Sequence, residues 1–531
     1  MAAHSKAAQE TLLDFPETIH SEKNFKVSVI DLGFNTLKLA NFEVDEQNHY
    51  RTYELQDAKV KLGEGLDETG FLGTEAIQRT IDALEVFRDI VNVESIHEVL
   101  AVATSAVRDA GDKEAFRQNT FEATGFNLHV LTEEQEALYS YVGAVKATRI
   151  PTCLFFDLGG GSLELVYTEN YKIRKVLSLP LGARRLTYLY GEKDGRFKQK
   201  NYELMRERIV ELLPSKKEVS IPEGIKLLGV GGTIRAISKY HQELTHYPIE
   251  KTHNYAMDYD AVHWASTKLE AASEEQLASI KAFSGARAET MIAGSCVVAT
   301  MMEAIGSTEV VTSFHGLREG TLSVFLANPI AFQSGDVSRK EIEDEVKSFL
   351  REEEVGNALL AGFREAGLID EREEIILSRK DELLREVLLT SNLPSLFVQL
   401  LGVDSSLSHS EQLLLAISLI GAENKRTAER IAAKYSGLLS KRSRRAIKRL
   451  SSVLRLLQIL EQGKIQANIR KTADSVEIEL SPSETLPLDL MEQTVKALSV
   501  ASEITVRCAI AKRASIRGQR TASRDDGDAS N

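Results

Sequence analysis

Hydrophobic and polar positions follow the same order in two stretches of the chain. Residues 27–42 read VSVIDLGFNTLKLANF, and residues 153–168 read CLFFDLGGGSLELVYT. Each stretch begins with an apolar run, passes through Asp-Leu-Gly and a hydroxyl residue, and ends in an alternating apolar pattern. A short apolar run bounded by turn residues indicates a buried strand, and alternation indicates a half-buried one. The pattern therefore predicts two β-hairpins, each of which opens a domain.

The turns of these hairpins have the composition of phosphate-binding loops. Glycine permits a tight turn and leaves backbone N–H groups uncovered, so that an anion can approach closely. The hydroxyl groups of Thr36 and Ser162 add donors, whereas the carboxylates of Asp31 and Asp157 repel phosphate and imply a divalent cation or water between them. One such hairpin alone is more often an ordinary glycine turn. The repetition favours phosphate binding.

A third glycine cluster and an arginine extend this pattern. Residues 227–240, LLGVGGTIRAISKY, predict a strand, a turn at Gly231, Gly232 and Thr233, and a helix whose first N–H groups suit an anion. Such turns also need glycine for structural reasons alone. Arg108 follows a predicted strand and a small polar turn, where a guanidinium can bind phosphate in bidentate fashion. The structural alternative is a surface arginine at a helix start.

The segment 130–145, VLTEEQEALYSYVGAV, predicts a capped helix. Thr132 has the position of an N-cap and Gln135 completes a capping box. Glu133 and Glu134 then lie in the first turn, where acids interact favourably with the helix dipole. We interpret these two acids as structural.

The composition is that of a globular protein with more than one domain. The chain has 531 residues, 43% hydrophobic and 27% charged, which predicts three domains. Its net charge of −13 argues against nucleic acid and anionic membrane as partners, so that a polyanion partner needs a local basic patch. The three cysteines are scattered, which fits a reducing compartment and predicts a cytoplasmic protein without a disulfide framework.

Both ends of the sequence are polar. Residues 1–24 lack the apolar region of a signal peptide, and we expect a disordered arm there. Residues 513–531 are rich in Ser, Gly and Asp, and we expect a disordered tail. The longest apolar run, Leu413 to Ala422, is about half the ~20 residues that a membrane span requires.

Six motifs in this order resemble the exopolyphosphatase / guanosine pentaphosphate phosphohydrolase (Ppx/GppA) family, which belongs with actin and sugar kinases. The resemblance covers about residues 25–328. Its motifs are DLGFNT, ATSAVRDA, TEEQEA, DLGGGSLELV, LGVGGTIRA and HGLREG. It implies two actin-like (ribonuclease H-like) α/β domains, for which we expect the ranges 25–138 and 139–329.

The resemblance also assigns roles to individual residues. Glu136 matches the catalytic glutamate that activates water, and Arg108 matches a phosphate-binding arginine. Asp157 and Glu164 match acids linked to the metal, Mg²⁺ (or Mn²⁺), to which the hairpin pattern adds Asp31. Phosphate binding is assigned to Asn35, Thr36, Gly159, Gly160, Gly161 and Ser162.

Two positions depart from the family pattern. Phe34 stands where family members usually carry Ser or Thr, so that one hydroxyl contact is missing and the phosphate grip or substrate range is in question. Gln135 replaces the first acid of the usual Glu-Glu-Ala and neutralises it.

The last third of the chain predicts a separate domain. Residues 329–335 have the composition of a linker, and residues 336–512 show amphipathic helical patterns that end in a short strand pair. The longer family members carry a helical domain related to HD phosphohydrolases in this place. His409 is the only histidine after His315, so we expect that shape without its metal ligands and interpret His409 as a helix-start residue.

A basic segment, Lys425 to Arg449, lies in this domain. It has ten Lys/Arg against one acid, Glu429. A solvated helix face is the usual explanation for such a run. In an acidic protein it also favours a polyanion, and the lack of aromatics beyond Tyr435 favours polyphosphate over nucleic-acid bases.

Together these observations predict an exopolyphosphatase that acts on inorganic polyphosphate with a divalent metal. The alternatives are a pppGpp 5′-phosphatase, a kinase of the same fold, and a non-enzymatic polyphosphate-binding regulator. Retention of Glu136, Arg108 and Asp157 argues against the last of these. A homodimer is compatible with the sequence.

Overall fold

The computed structural model of the protein describes residues 25–192, 196–214, 221–283, 288–354, 358–387, 390, 392–481 and 487–510. The predicted arm (1–24) and tail (513–531) lie outside the described residues. The chain divides into two compact units, the first made of Met1–Val355 and Arg379–Leu413 and the second of Gly356–Ser378 and Leu414–Asn531.

The helices up to residue 355 belong to the first unit. They are α1 (Leu66–Thr69), α2 (Thr74–Val93), α3 (Ser105–Arg108), α4 (Lys113–Thr124), α5 (Glu133–Thr148), α6 (Ala183–Tyr190), α7 (Gln199–Leu212), α8 (Gly232–Leu244), α9 (Tyr259–Glu270), α10 (Glu274–Ser279), α11 (Ala288–Ile305), α12 (Leu317–Ala327), α13 (Pro329–Ser334) and α14 (Arg339–Glu354). The later helices are α15 (Ala358–Glu365), α16 (Glu371–Ser378), α17 (Lys380–Arg385), α18 (Leu393–Gly402), α19 (His409–Glu423), α20 (Lys425–Lys434), α21 (Lys441–Gln462) and α22 (Leu488–Ser502).

The first sheet has five strands, in the order β3-β2-β1-β4-β5. These are β1 (Phe25–Leu32), β2 (Thr36–Val44), β3 (Tyr50–Lys59), β4 (Glu98–Ala103) and β5 (Leu128–Val130). Strands β1, β2 and β3 pair antiparallel, whereas β1, β4 and β5 pair parallel. The first predicted hairpin is thus confirmed as β1 and β2.

The second sheet repeats this topology with one added strand. Its strands are β6 (Cys153–Leu158), β7 (Leu163–Glu169), β8 (Lys172–Leu179), β9 (Leu227–Val230), β10 (Tyr255–Asp258) and β11 (Glu309–Thr312). Their order is β10-β11-β9-β6-β7-β8, in which β8-β7-β6-β9-β11 corresponds to β3-β2-β1-β4-β5. The second predicted hairpin, β6 and β7, is also confirmed, so the sequence repeat reflects two domains of the same mixed α/β topology.

Helix α5 is the buried core element of the first unit. It packs closely against α12. A β-carbon on Gly320 would overlap with the carbonyl of Tyr139, and a β-carbon on Gly143 would overlap with the carbonyl of Gly316. The predicted domain boundary at residues 138 and 139 falls inside this continuous helix, which is a difference from the sequence-based division.

One described helix, α11, is long and apolar enough to cross a membrane by length and composition. However, 72% of it is buried inside the protein. Its residues Met291, Val297 and Met301 pack into the hydrophobic core beside the second sheet. Burial of this kind is typical of a core helix.

The predicted linker at residues 329–335 is helix α13. Asn328 caps this helix by accepting the N–H of Ala331 (3.1 Å), Pro329 occupies the first turn, and Gly335 ends it with φ of 77°. The linker prediction is therefore wrong, because a Pro at the start and a Gly after the end are helix boundary signals as well as linker residues.

The C-terminal segment does not form one domain from residue 336. Residues 336–354 and 379–413 belong to the first unit. The second unit contains helices and a three-stranded sheet, β12 (Ala467–Lys471), β13 (Val476–Leu480) and β14 (Val506–Ile510). The strand pair β12–β13 is confirmed, and likeness to HD phosphohydrolases stays a prediction.

The contact between α5 and α12 gives a stability prediction. Gly320→Ala should lower the free energy of unfolding by about 2 kcal/mol or more, because the added methyl group overlaps with a backbone carbonyl. The measurement is chemical denaturation. Gly402→Ala is the matched control, since a β-carbon at this helical glycine meets no atom within 4 Å, and it should be neutral or stabilise by up to about 1 kcal/mol. Equal effects would contradict the packing argument.

Candidate active site

The first glycine loop, residues 33–36, connects β1 to β2. It is closed by a hydrogen bond of 3.1 Å between its first N–H and its last carbonyl, and its middle carbonyls accept from the N–H groups of Lys61 and Gly63 (3.0 and 2.9 Å). Within the described part of the chain, the two middle N–H groups have no acceptor, and the buried Oδ1 atom of Asn35 has no hydrogen-bond partner. Polar groups left in this way are available to a ligand.

The second glycine loop, residues 159–162, has the same closure, with a hydrogen bond of 3.1 Å from its first N–H to its last carbonyl. The carbonyls of Gly159 and Gly160 accept hydrogen bonds of 3.0 to 3.1 Å from the first N–H groups of α6. The N–H groups of Gly160 and Gly161 have no acceptor among the described residues. The protein thus provides hydrogen-bond donors for the carbonyls of this loop, whereas the two N–H groups stay available to a ligand.

The third glycine turn, from Gly231 to Thr233, leads from β9 into α8. Gly231 has φ of 98°, and a β-carbon there would lie 2.9 Å from Oδ1 of Asp157, so that both backbone conformation and close approach require glycine. No side chain caps α8. Its first N–H groups therefore remain free of intrahelical partners beside the second loop.

Arg108 and Glu136 form an ion pair at the start of α5. Nη1 of Arg108 donates to Oε2 of Glu136 (2.7 Å) and to the carbonyl of Leu131 (3.2 Å). Both side chains are largely buried, at 16% and 12% exposed. Nε of Arg108 is buried without a hydrogen bond and lies 3.6 Å from the Asp109 carboxylate. The guanidinium thus holds the glutamate and keeps one further donor.

The predicted capping box at the start of α5 is confirmed. The hydroxyl of Thr132 accepts the N–H of Gln135 (3.2 Å), and the amide oxygen of Gln135 accepts the N–H of Thr132 (3.0 Å). Glu133 and Glu134 are exposed in the first turn, as expected for structural acids. The cap fixes where the helix begins and hence where the side chain of Glu136 lies.

Three further acids lie near this pair. Asp31 and Glu164 are buried, as Glu136 is, and Asp157 is partly buried. Burial raises the pKa of Glu136 to about 7; Arg108 opposes the shift, and Asp157 and Asp31 add to it. Burial and then repulsion from Glu136 and Asp157 raise the pKa of Glu164 well above its usual value. These carboxylates therefore lie close enough to influence one another.

Comparison with known proteins identifies the family of the chain. The model of the Ppx/GppA phosphatase family matches residues 44–328, more than half of the chain. The chain belongs to this family. The resemblance inferred from the six motifs is confirmed, and so is the prediction that the protein is an enzyme that hydrolyses phosphate groups.

Individual relatives of the family match with different coverage. Exopolyphosphatase 2 of Mycobacterium tuberculosis is 28% identical over 312 residues, which are 56% of this chain and 97% of that protein. A bifunctional 3-dehydroquinate synthase/phosphatase of Fusobacterium nucleatum is 31% identical over 250 residues, but the match spans only 36% of its length. The guanosine-5′-triphosphate,3′-diphosphate pyrophosphatase of Aliivibrio fischeri is 26% identical over 242 residues and 48% of its length.

A solved structure supports the fold. The exopolyphosphatase of Cytophaga hutchinsonii superposes with a TM-score of 0.53 at 24% identity, over 57% of this chain and 97% of that one. The two mixed α/β sheets thus have the fold of Ppx/GppA proteins, in agreement with the predicted actin-like architecture.

The sequence reasoning missed two partners of the acids in this candidate site. Lys38 Nζ lies 3.0 Å from Oδ2 of Asp31, and the hydroxyl of Ser140 donates to Oδ2 of Asp157 (2.9 Å). Strand register carries the signal for the first, since Asp31 pairs with Lys38 in one hairpin and Asp157 pairs with Glu164 in the other. The repeat therefore has a lysine in one copy where it has an acid in the other.

The donor chemistry fits a divalent cation only in part. No three His, Cys, Asp or Glu side chains of the described ranges converge as a ligand set. Asp31 is already paired with Lys38, whereas the direct partners of Asp157 and Glu164 among the described residues are hydroxyl groups, Ser140 for Asp157 and Ser178 and Ser162 for Glu164. Two mutually repelling carboxylates suit Mg²⁺, which is commonly held by one or two carboxylates plus substrate phosphates.

Proposed function

We propose that the protein is an exopolyphosphatase, a phosphoric anhydride hydrolase that removes the terminal phosphate of inorganic polyphosphate. The observation that carries the proposal is the Arg108–Glu136 pair beside loops whose N–H groups lack acceptors. The relative named exopolyphosphatase 2 supports the choice of substrate, because the match covers nearly its whole length.

Substrate binding would release Glu136 from its ion pair. A terminal phosphate near Arg108 competes with the glutamate for the guanidinium, because phosphate also accepts bidentate hydrogen bonds from arginine. The freed carboxylate then accepts a proton from a water molecule as the water oxygen bonds to phosphorus. The bridging P–O bond breaks on the opposite side, and the shortened chain leaves with the electron pair.

The loops stabilise the charge of the transferring group. The free N–H groups of the glycine loops 33–36 and 159–162 and of the start of α8 are fixed before the reaction, so they need no reorganisation during it. Nε of Arg108 adds a charged donor. In phosphoryl transfer, positioning and charge stabilisation of this kind supply most of the catalysis.

Asp157 and Glu164 would hold the divalent cation, Mg²⁺ (or Mn²⁺), together with a phosphate oxygen of the substrate. When bound, the cation neutralises charge on the phosphate chain. It would also lower the pKa values of these two acids, which burial raises although Lys38 lies near Asp157 and Arg108 near Glu164.

A pppGpp 5′-phosphatase is the second candidate. It is favoured by the similarity to the Aliivibrio fischeri enzyme, although that match covers about half of either protein. Both reactions remove a terminal phosphate and use the same groups.

The proposal is tested by phosphate release from long polyphosphate, tripolyphosphate and pppGpp, measured side by side. With Mg²⁺, we expect the highest kcat/KM for polyphosphate. Exhaustive chelation should abolish release, and Mg²⁺ or Mn²⁺ should restore it. Faster release from pppGpp would favour the second candidate. Full activity after chelation would remove the metal from the proposal.

Replacement of Glu136 tests the base. Glu136→Gln should lower kcat by ~10²-fold or more with little change in substrate binding. Because the base must be deprotonated and its pKa is raised to about 7, activity of the wild type should rise with pH through about 7 and then level off. The exposed Glu133→Gln on the same turn is the matched control and should keep both rate and profile. A Glu136→Gln enzyme with normal turnover would contradict the assignment.

The basic segment Lys425 to Arg449 comprises all of α20 and the beginning of α21. Lys441, Arg442, Arg445 and Arg449 line a cavity of about 730 Å³ in the second unit, opposite residues 367–370. Two of them are paired, Arg442 with Asp370 (2.6 Å) and Arg449 with Glu373.

The two other cations of this cavity favour a bound anion. Within the described residues, Lys441 and Arg445 have no ion-pair partner although they lie four residues apart on one helix face. Like charges at this spacing destabilise a helix, and an anion between them relieves the repulsion. We propose that the segment binds long polyphosphate chains.

The double substitution Lys441→Ala/Arg445→Ala tests this role. It should lower kcat/KM for long polyphosphate by about fivefold and reduce its salt dependence, because fewer counterions are displaced. Values for tripolyphosphate should change little. The matched control is Lys172→Ala/Lys175→Ala, which removes two exposed cations from β8 of the first unit. An unchanged ratio of long-chain to short-chain kcat/KM would mean that the segment is a solvated helix face.

A further inference from the structure

Phe34 lies between the two glycine loops. It belongs to the first loop and is only 8% exposed. A β-carbon on Gly63 would overlap with its ring, one on Gly161 would lie 3.0 Å from its Cδ2 atom, and one on Gly160 would lie 3.6 Å from its β-carbon. The ring is therefore enclosed by glycines from both domains, at the place where the loops face each other.

This position matters because two of the enclosing glycines, Gly160 and Gly161, have free donors. The N–H groups of Gly160 and Gly161 have no acceptor in the described chain, and the ring packs against both residues. A phosphate that approached these N–H groups from the side of the ring would have to occupy the space of the ring, whereas the terminal phosphate of the proposed reaction would reach them from beside Arg108. On the side of the ring, a phosphate would also lose water against an apolar surface, which is costly for a charged group.

A hydroxyl group lies next to the ring on the same side of Gly161. Ser105, on α3 with Arg108, approaches Gly161 so closely that a β-carbon there would lie 2.9 Å from its hydroxyl oxygen. The ring therefore borders the space beside Ser105 and Arg108, where the proposed function places the terminal phosphate. This space is next to the groups that would react, whereas the ring fills the continuation of the cleft between the loops.

We propose that Phe34 is a specificity-determining residue, which confines the site to the terminal phosphate and excludes the next phosphate from the space between the two glycine loops. The inference rests on the proposed function, since it takes a phosphate chain as the ligand. Phe34 would restrict which part of the phosphate chain enters the space between the loops. Affinity at the catalytic site should then depend little on chain length.

The test is binding of pyrophosphate and tripolyphosphate, measured by calorimetry. All variants carry Glu136→Gln to stop turnover and Lys441→Ala/Arg445→Ala to remove the basic cavity. Phe34→Ala opens the space, Phe34→Ser opens it and adds a hydroxyl donor, and Phe34→Leu retains an apolar side chain of similar bulk. Thermal melting of each variant verifies that it is folded, and Phe34→Val replaces Phe34→Ala if the latter is not.

The expected result is a change in the ratio of the two affinities. Phe34→Ala should strengthen tripolyphosphate binding relative to pyrophosphate by about tenfold, and Phe34→Ser by at least as much, because a hydrogen bond to a charged group adds to the space gained. Phe34→Leu should keep the parent ratio. Stronger relative binding of tripolyphosphate with Phe34→Ser but not with Phe34→Ala would mean that the site lacks only a hydroxyl group. That result would contradict the exclusion of the next phosphate by the ring. No gain with either would overturn it as well.

Failure of this inference is distinguishable from failure of the proposed function. The binding ratio is measured without turnover, whereas the function is measured by phosphate release from the unmodified protein. The unmodified protein could release no phosphate from any of the three substrates while Phe34→Ala strengthens tripolyphosphate binding. In that case the role of Phe34 would stand and the proposed reaction would be wrong.

Discussion

The close approach of helices α5 and α12 is the constraint on which the site depends. At Gly143, Gly316 and Gly320 no side chain separates the two helices, so α5 lies deep in the first unit and every residue from Glu136 to Val145 is buried. A glutamate at the start of such a helix necessarily loses most of its water. Its raised pKa is thus a consequence of helix packing, and Arg108 compensates only part of the cost.

The two copies of the hairpin divide the charges between them. In the first copy, the acid Asp31 is paired with Lys38 of the facing strand. In the second, Asp157 faces Glu164, and both carboxylates keep a tendency to hold a proton or attract a cation. The duplication therefore supplies one copy with internal charge balance and the other with an excess of negative charge. The proposed cation, bound together with a phosphate, would therefore lie at the second copy.

Local features of this chain could be predicted from its sequence, and long-range ones could not. The hairpins, the capping box at Thr132 and the helix start at His409 follow from neighbouring residues. The return of residues 379–413 to the first unit does not, because hydrogen bonds across more than 150 positions hold it, such as Asn254 to the Ser405 carbonyl (2.7 Å) and Lys251 to Gln412 (2.6 Å).

The candidate site shows the same division. The motifs identified its loops, its arginine and its glutamate, since each is a local pattern of glycine or charge. The enclosure of Phe34 could not be foreseen, because Gly63 and Gly161 come to the ring from other parts of the chain. The contact between Lys38 and Asp31 could have been predicted from the strand register, because the turn of a hairpin determines which residues face each other.

The use of backbone donors has a consequence for turnover. An enzyme that releases phosphate repeatedly must bind its substrate without retaining its product, and a cluster of lysines would hold both. Uncovered N–H groups carry no net charge and do not titrate, so they stabilise the crowded charge of the transferring group while their hold on a free phosphate ion stays modest. Arg108 donates to Glu136 over 2.7 Å, and in the proposed reaction it would return to the glutamate when phosphate leaves. Under the proposed function, Glu136 would thus compete with the product as well as with the substrate for Arg108, which would favour an emptied site after each cycle.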